Sequence, residues 1–354
     1  MIATQLTTKL DKIKSGHYQP SSFIIADAKD GDMAFGIAAP GPVLASDGPV
    51  LASDGPLLAS DGPALSSEKD GADVEYKSRA DYLAAMTAMV ESDLIDILLV
   101  SASSAETLHA EKLFTDSNVT PAVRLNDTTD IWSARGSSYR DSPSVPFATV
   151  DLEAVRALCQ LGLYSVTFSN NLQADHHTLE QYKLFRLAAR EAGMQHFLEV
   201  LNPAFDIGLK DASLGDYIND MILKTLAGVT QKDAPLFLKM QFNGQRAMSD
   251  LCAYDPANLV VGILGGSAGT TRDTFELAKQ AEQAGARVAL FGRKINLSES
   301  PVELVRLLRS VIEEKLTAEQ AVVAYHDHLS AAGIRPRRAL KTDSQITDSV
   351  LMRD

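Results

Sequence analysis

The segment 234–244 reads APLFLKMQFNG, and it sets Lys239 in the middle of an apolar run. Leu236, Phe237, Leu238 and Met240 have the character of a buried strand. An ammonium in such a strand is costly unless it is paired or neutral. Chemistry gives it a use. Desolvation lowers the pKa of a lysine and frees its amine to attack a carbonyl, forming a Schiff base. Carboxylates nearby can then move the protons. The segment QHFLEVL, 195–201, supplies such a carboxylate in Glu199.

These residues need elements to hold them. Eight strand-like runs recur along the chain, at 23–27, 95–101, 120–126, 163–169, 195–201, 235–241, 258–264 and 287–292. Helical patterns lie between them at 78–91, 152–158, 176–192, 213–228, 245–253 and 271–284. Short, nearly continuous apolar strands alternating with helices point to a parallel sheet covered on both faces. Eight of them predict an α/β fold, a (β/α)8 TIM barrel. Leu6, Leu10 and Ile13 mark an N-terminal helix, and a last helix starts at Thr317, with Gln320 completing its cap. Ser300-Pro301-Val302-Glu303 reads as a capping box with Pro at the first helical position.

Strand alternation then sorts the side chains. Phe237, Lys239 and Gln241 are expected to face the barrel axis, as are Phe197, Glu199 and Leu201. The same reading turns Asp27, Arg124, Asn126, Thr167 and Ser169 inward. Lys239, Glu199, Asp27, Arg124 and Asn126 would therefore meet at the C-terminal mouth, where barrel enzymes carry their active sites. After the seventh strand comes GILGGSAGTTRD, 262–273, and after the eighth comes FGRKIN, 291–296. Loops at these two positions often bind phosphate through backbone N–H groups. Gly265, Gly266, Gly292 and Arg293 are the candidate ligands.

Composition sets the outer bounds. The chain has 354 residues, 45% hydrophobic and 22% charged, with a formal charge of -13. That charge argues against nucleic acid as a partner. No run is apolar for long enough to cross a bilayer, and a cytoplasmic location is expected. Cys159 and Cys252 form no CxxC motif and are expected to be reduced core residues. No His or Cys set has metal-ligand spacing. His326 and His328 sit two apart on a helix and read as surface residues, and His176 and His177 as solvated. Residues 41–68 repeat a seven-residue Gly-Pro unit four times. Gly-Pro breaks helices, so this is an insert of turns in the loop after strand one, not a coiled coil. One barrel domain is expected to span 1–354.

HFLEVLNP, LFLKMQ, GILGGSAGT and ALFGRKIN together resemble the class I, Schiff-base aldolases, nearest to the tagatose-bisphosphate and archaeal fructose-bisphosphate types. The resemblance covers most of the chain in outline and is strongest over 195–296. It implies that Lys239 forms the Schiff base, that Glu199 is an acid/base group and that Asp27 is the strand-one aspartate. It further implies that the last two loops hold a phosphate. A phosphorylated sugar as substrate, no cofactor and a homo-oligomer are the corresponding expectations. Two departures stand out. LYSVTFSNN lacks the second, strand-four lysine of the tagatose enzymes, and NDTTDIW, 126–132, has no counterpart. Another lyase, isomerase or acyl transferase, or a regulatory sugar-phosphate-binding barrel, remain the alternatives.

Overall fold

A computed structural model describes residues 5–43, 75–132, 134 and 136–352. Eight parallel strands close into a barrel. They are β1 (Ile24–Lys29), β2 (Ile97–Val100), β3 (Thr120–Arg124), β4 (Leu161–Thr167), β5 (Gln195–Leu201), β6 (Leu238–Met240), β7 (Val261–Leu264) and β8 (Val288–Phe291). Each pairs with its neighbours in sequence, and β8 returns to β1. The fold is the (β/α)8 barrel that the alternation predicted. Observed strands are mostly shorter than the apolar runs, since pairing stops where the chain turns away to the next helix. At β1 the strand runs two residues further than expected.

The barrel interior is one apolar cluster. It contains Ile24, Ala26, Ala28, Ile97, Leu99, Leu163, Phe197, Phe237, Val288 and Leu290, together with Leu6, Leu10 and Ile13 of α1 (Gln5–Lys14). Thus α1 packs its apolar face into the N-terminal end of the barrel. Lys9, on that helix, lies 2.6 Å from the buried Asp96. The second cluster lies between strands and outer helices and includes Ile25, Leu98, Val100, Val166, Leu198, Val200, Leu238, Met240 and Phe291. Alternate strand residues therefore feed two different cores.

The outer helices are α2 (Arg79–Glu91), α3 (Ala102–Ala110), α4 (Leu172–Ala192), α5 (Asp211–Ala227), α6 (Gln245–Tyr254), α7 (Thr271–Gln283), α8 (Pro301–Ile312) and α9 (Ala318–Ala331). The Thr317–Gln320 capping box is present. The one expected at Ser300 is not. Its hydroxyl pairs with His328 Nε2 at 3.2 Å, and Glu303 is taken by Arg306. His326 is also corrected: it is buried and sits 3.0 Å from Asp343 Oδ2, because a C-terminal segment folds over that face of α9. His176 is exposed, and both cysteines are buried and free.

From residue 44 onward, the repeat of 41–68 lies outside the described residues. Its flanks are joined: Val43 N donates to Glu75 O, Lys77 N donates to Gly41 O, and Pro42 bridges Tyr76 in antiparallel sense. No helix among the described residues is long and apolar enough to cross a membrane.

Candidate active site

One row of in-register residues crosses the inner face: Ser165 on β4, Glu199 on β5, Lys239 on β6 and Gly262 on β7. Two residues earlier on the same face lie Leu163, Phe197 and Phe237. The Phe197 and Phe237 rings stack with centroids 4.6 Å apart. The polar row thus rests on an apolar floor, which withholds water from below. Gly262 leaves a bare wall beside the lysine; a Cβ there would come within 2.7 Å of Val288 Cβ and Leu238 O.

Lys239 Nζ lies 2.5 Å from Glu199 Oε1. The other carboxylate oxygen accepts from Ser165 Oγ at 2.6 Å and lies 3.6 Å from Arg124 Nη2. Burial alone would raise the pKa of Glu199. The Lys239 ammonium, then Arg124, outweigh that and hold it below the usual carboxylate range. Glu199 is placed to take the proton that Lys239 must lose before it can act as a nucleophile.

Arg124 faces the axis, as its strand position predicted, but its guanidinium is spent on protein groups. Nη1 donates to Asp30 Oδ2 at 2.7 Å, Nη2 to Ser165 Oγ at 3.2 Å and Nε to Asn126 O at 3.0 Å. Nε is also 2.8 Å from Asp127 Oδ1. Asn126 is likewise occupied. Its side chain accepts from Ser165 N at 2.6 Å and donates to Ser165 O at 2.8 Å, clipping β3 to β4. Both side chains are thus engaged with protein groups.

Asp27 is the clearest correction. It pairs in register with Leu98 on β2 and Phe291 on β8, both members of the outer core. Its side chain therefore faces the helices, not the axis. The strand runs to Lys29, so the inward residue at its end is Asp30, which reaches Arg124. Reading β1 as ending at residue 27 put the wrong face at the mouth.

Asp127 was also missed. It stands on a two-stranded ribbon, Asp127–Thr128 paired with Pro146–Phe147, inserted between β3 and β4. Burial pushes its carboxyl up to about 6; Arg124 opposes this, while Asp30 and Glu199 add to it. The same ribbon carries Asp130, which accepts from Thr167 Oγ1 at 3.1 Å and Ser144 Oγ at 2.7 Å. Thr167, inward on β4, is thereby tied to this insert. Trp132 anchors it: the indole stacks on Tyr139 at 6.1 Å and meets Phe147 edge-on at 4.8 Å.

The glycine loops lie on the neighbouring side of the mouth. Gly266 has φ +63 and open space where a Cβ would stand, so its left-handed backbone suits glycine. A Cβ on Gly292 would approach Ala28 O to 3.0 Å. Arg293 lies with its guanidinium 5.7 Å from the Phe35 ring centroid. Lys294, buried beneath the first loop, donates to Ala268 O at 3.2 Å, and burial lowers its pKa to about 8. The N-terminus of α7 is filled by the protein's own carboxylates: Thr270 N donates to Asp273 and Thr271 N to Asp343. An anion at these loops would have to use the N–H groups around Gly265, Gly266 and Gly292. Among the described residues no group of three or more His, Cys, Asp and Glu is arranged to hold a metal ion.

No family model matches the sequence, and no curated protein matches it. Solved structures do. An archaeal fructose 1,6-bisphosphate aldolase superposes with a TM-score of 0.58 at 13% identity, covering 87% of this chain and 99% of that one. An archaeal fructose-1,6-bisphosphate aldolase with its catalytic lysine bound to a carbinolamine intermediate gives 0.56 at 13% identity, with the same coverage. A fructose-bisphosphate aldolase from Slackia heliotrinireducens gives 0.58 at 13% identity, covering 91% of each chain. At such identity the likeness is one of fold, and it extends over almost the whole length of each aldolase barrel.

Proposed function

We propose that this protein is a Schiff-base aldolase acting on a phosphorylated ketose. The observation that carries the reading is the buried Lys239 amine, held 2.5 Å from Glu199 on the axial face above an apolar floor. A core that needed only packing would be served by Leu or Met without the desolvation cost. Fold alone does not give function, and it is the chemistry of this row that favours the reading.

The steps follow from the groups in place. Glu199 takes a proton from Lys239, and the neutral amine adds to the ketose carbonyl. Glu199 passes that proton, and then the second proton of the attacking nitrogen, to the former carbonyl oxygen, which leaves as water, and an iminium remains. A base then removes the proton from the hydroxyl on the far side of the scissile bond. Asp30, inward at the end of β1, takes this role in place of Asp27. The C–C electrons pass into the iminium to give an enamine, and the aldehyde departs. Protonation of the enamine carbon and hydrolysis release the second product and the lysine. The N–H groups near Gly265, Gly266 and Gly292, with Arg293, would hold the substrate phosphate.

The test is reductive trapping. Incubation with dihydroxyacetone phosphate or other ketose phosphates and borohydride should add the reduced ligand's mass to the peptide carrying Lys239. Labelling at Lys294 instead would move the nucleophile there. Failure across a broad panel of ketose phosphates would sink the aldolase reading and favour another reaction or a binding role.

A further inference from the structure

We propose that Arg124 is a positioning residue for the Lys239–Glu199 pair, fixing the place and charge of Glu199 Oε2, and that it does not contact the substrate. This rests on the aldolase reading only for the identity of the reaction. Its own basis is how the guanidinium is used. One planar fork meets Asp30, Ser165 and Asn126 O by hydrogen bonds and lies beside Asp127 and Glu199. Those partners come from the end of β1, from β4, from the ribbon and from β5, so the fork joins four separate elements. Ser165 Oγ accepts from Arg124 and therefore turns its own proton to Glu199 Oε2. The hydroxyl passes the orientation of Arg124 on to the carboxylate.

Charge points the same way. Asp30, Asp127 and Glu199 converge on Arg124, while among the described residues Lys239 pairs with Glu199. Asp130 stands nearby on the ribbon but is tied to Thr167 and Ser144. Burial opposes the Arg124 charge, yet Asp127, Asp30 and Glu199 together raise its pKa. It is a fixed cation. Without it, the neighbouring carboxylates would compete for protons, and Glu199 would be neutral over part of the range in which it must accept one. Lysine cannot replace the fork, because an ammonium has no planar set of donors to span three partners.

The experiment reads Glu199 directly. Carboxyl-13C glutamate is incorporated, and the Glu199 resonance is assigned by its loss in Glu199→Gln. In the parent protein the midpoint should lie below that of an unperturbed glutamate. In Arg124→Met combined with Asp127→Asn, which removes a buried charge of each sign, the midpoint should rise by roughly one unit or more. Arg124→Lys should fall between the two. The acid limb of trapping at Lys239 should move upward with the Glu199 midpoint in each variant. A Glu199 titration unchanged in both folded variants overturns the proposal, since a merely structural arginine would lower yield or stability without moving it. If the parent protein traps no ketose, the aldolase reading fails while the Glu199 titration still tests Arg124. If Arg124→Met with Asp127→Asn does not fold, Arg124→Lys decides.

Discussion

Two lysine–carboxylate pairs are buried near the C-terminal ends of barrel strands, on opposite faces of the wall. Lys239 and Glu199 face the axis; Lys29 and Asp27 face the helices. Lys29 Nζ lies 3.3 Å from Asp27 Oδ2, but its hydrogen bond goes to Asn296 Oδ1 at 3.0 Å. Both oxygens of Asp27 lack a hydrogen bond among the described residues. Burial pushes the Asp27 carboxyl up and the Lys29 amine down, and each partner only partly offsets it. Burial thus works against the charge of both outer groups. In the inner pair Glu199 is held down instead, because beside Lys239 it also has Arg124 and Ser165. A lysine and a carboxylate at similar burial are shifted in different directions by what surrounds them. A bare lysine near a carboxylate is no signature of catalysis; the supporting donors are.

The largest expected difference is in turnover. Lys239→Met should abolish borohydride trapping and reduce turnover by orders of magnitude, while circular dichroism stays that of the parent. Methionine fills the stem volume and removes the nucleophile. Lys29→Met should leave trapping at Lys239 in place. Loss of the adduct in Lys29→Met, or its survival in Lys239→Met, would reverse the assignment of the two pairs.

Glu199→Gln comes next. It keeps shape and removes the proton acceptor, so turnover should fall by about 10²–10⁴-fold. Trapping should persist at a lower rate, since the amine remains. Asp27→Leu should show no such effect on rate. Single-turnover trapping followed by mass spectrometry separates these cases.

Much of this contrast was legible in the sequence, and one part was misread. Alternation on β5 and β6 is unambiguous because Leu198, Val200, Leu238 and Met240 bracket one charge on each strand. Strand β1 offered no such frame. Ile24, Ile25 and Ala26 are all apolar, so either face could have been the inner one. A one-residue error in facing exchanges Asp27 for Asp30. Arg124 was legible as inward but not as saturated, because its partners lie 94 residues before it and 41 residues after it. The ribbon of Asp127 and Asp130 follows no strand period, and its pairing across residues 127 to 147 could not be seen from composition. His326 was misread for a related reason: its partner Asp343 belongs to a segment beyond the last long helix.

A stability effect should mark the outer pair. Lys29→Met removes the hydrogen bond to Asn296 and takes the ammonium away from Asp27, whose burial favours the protonated form. Equilibrium denaturation should show a loss of about 1–3 kcal/mol, the cost of stranding a neutral polar group. Breaking a charged buried pair costs about 3–5 kcal/mol. A loss in that upper range would mean that Asp27 keeps its charge.

The smallest effect expected is the one that most sharply separates the two faces. Asp27→Asn exchanges a carboxyl for an amide of equal shape, and a carboxyl that is already neutral loses little. In acid, where the carboxyl is neutral in the folded and the unfolded chain alike, the change should be about 1 kcal/mol or less. Its pH dependence has a definite sign. The folded pKa of Asp27 lies above its unfolded value of about 3.9. The folded state therefore binds the proton more tightly, and this contribution is fully present below the unfolded pKa. It is lost as pH rises through the folded pKa. The stability of Asp27→Asn relative to the parent should accordingly improve as pH increases from acid toward neutral. For Glu199 the folded pKa is depressed, so its contribution is present above the unfolded value and lost as pH falls. Glu199→Gln relative to the parent should improve in the opposite direction, toward acid. Urea titrations at three or four pH values suffice to read both slopes. Parallel slopes for the two variants would show that the wall of the barrel does not separate a carboxyl raised by burial from one held down by its neighbours.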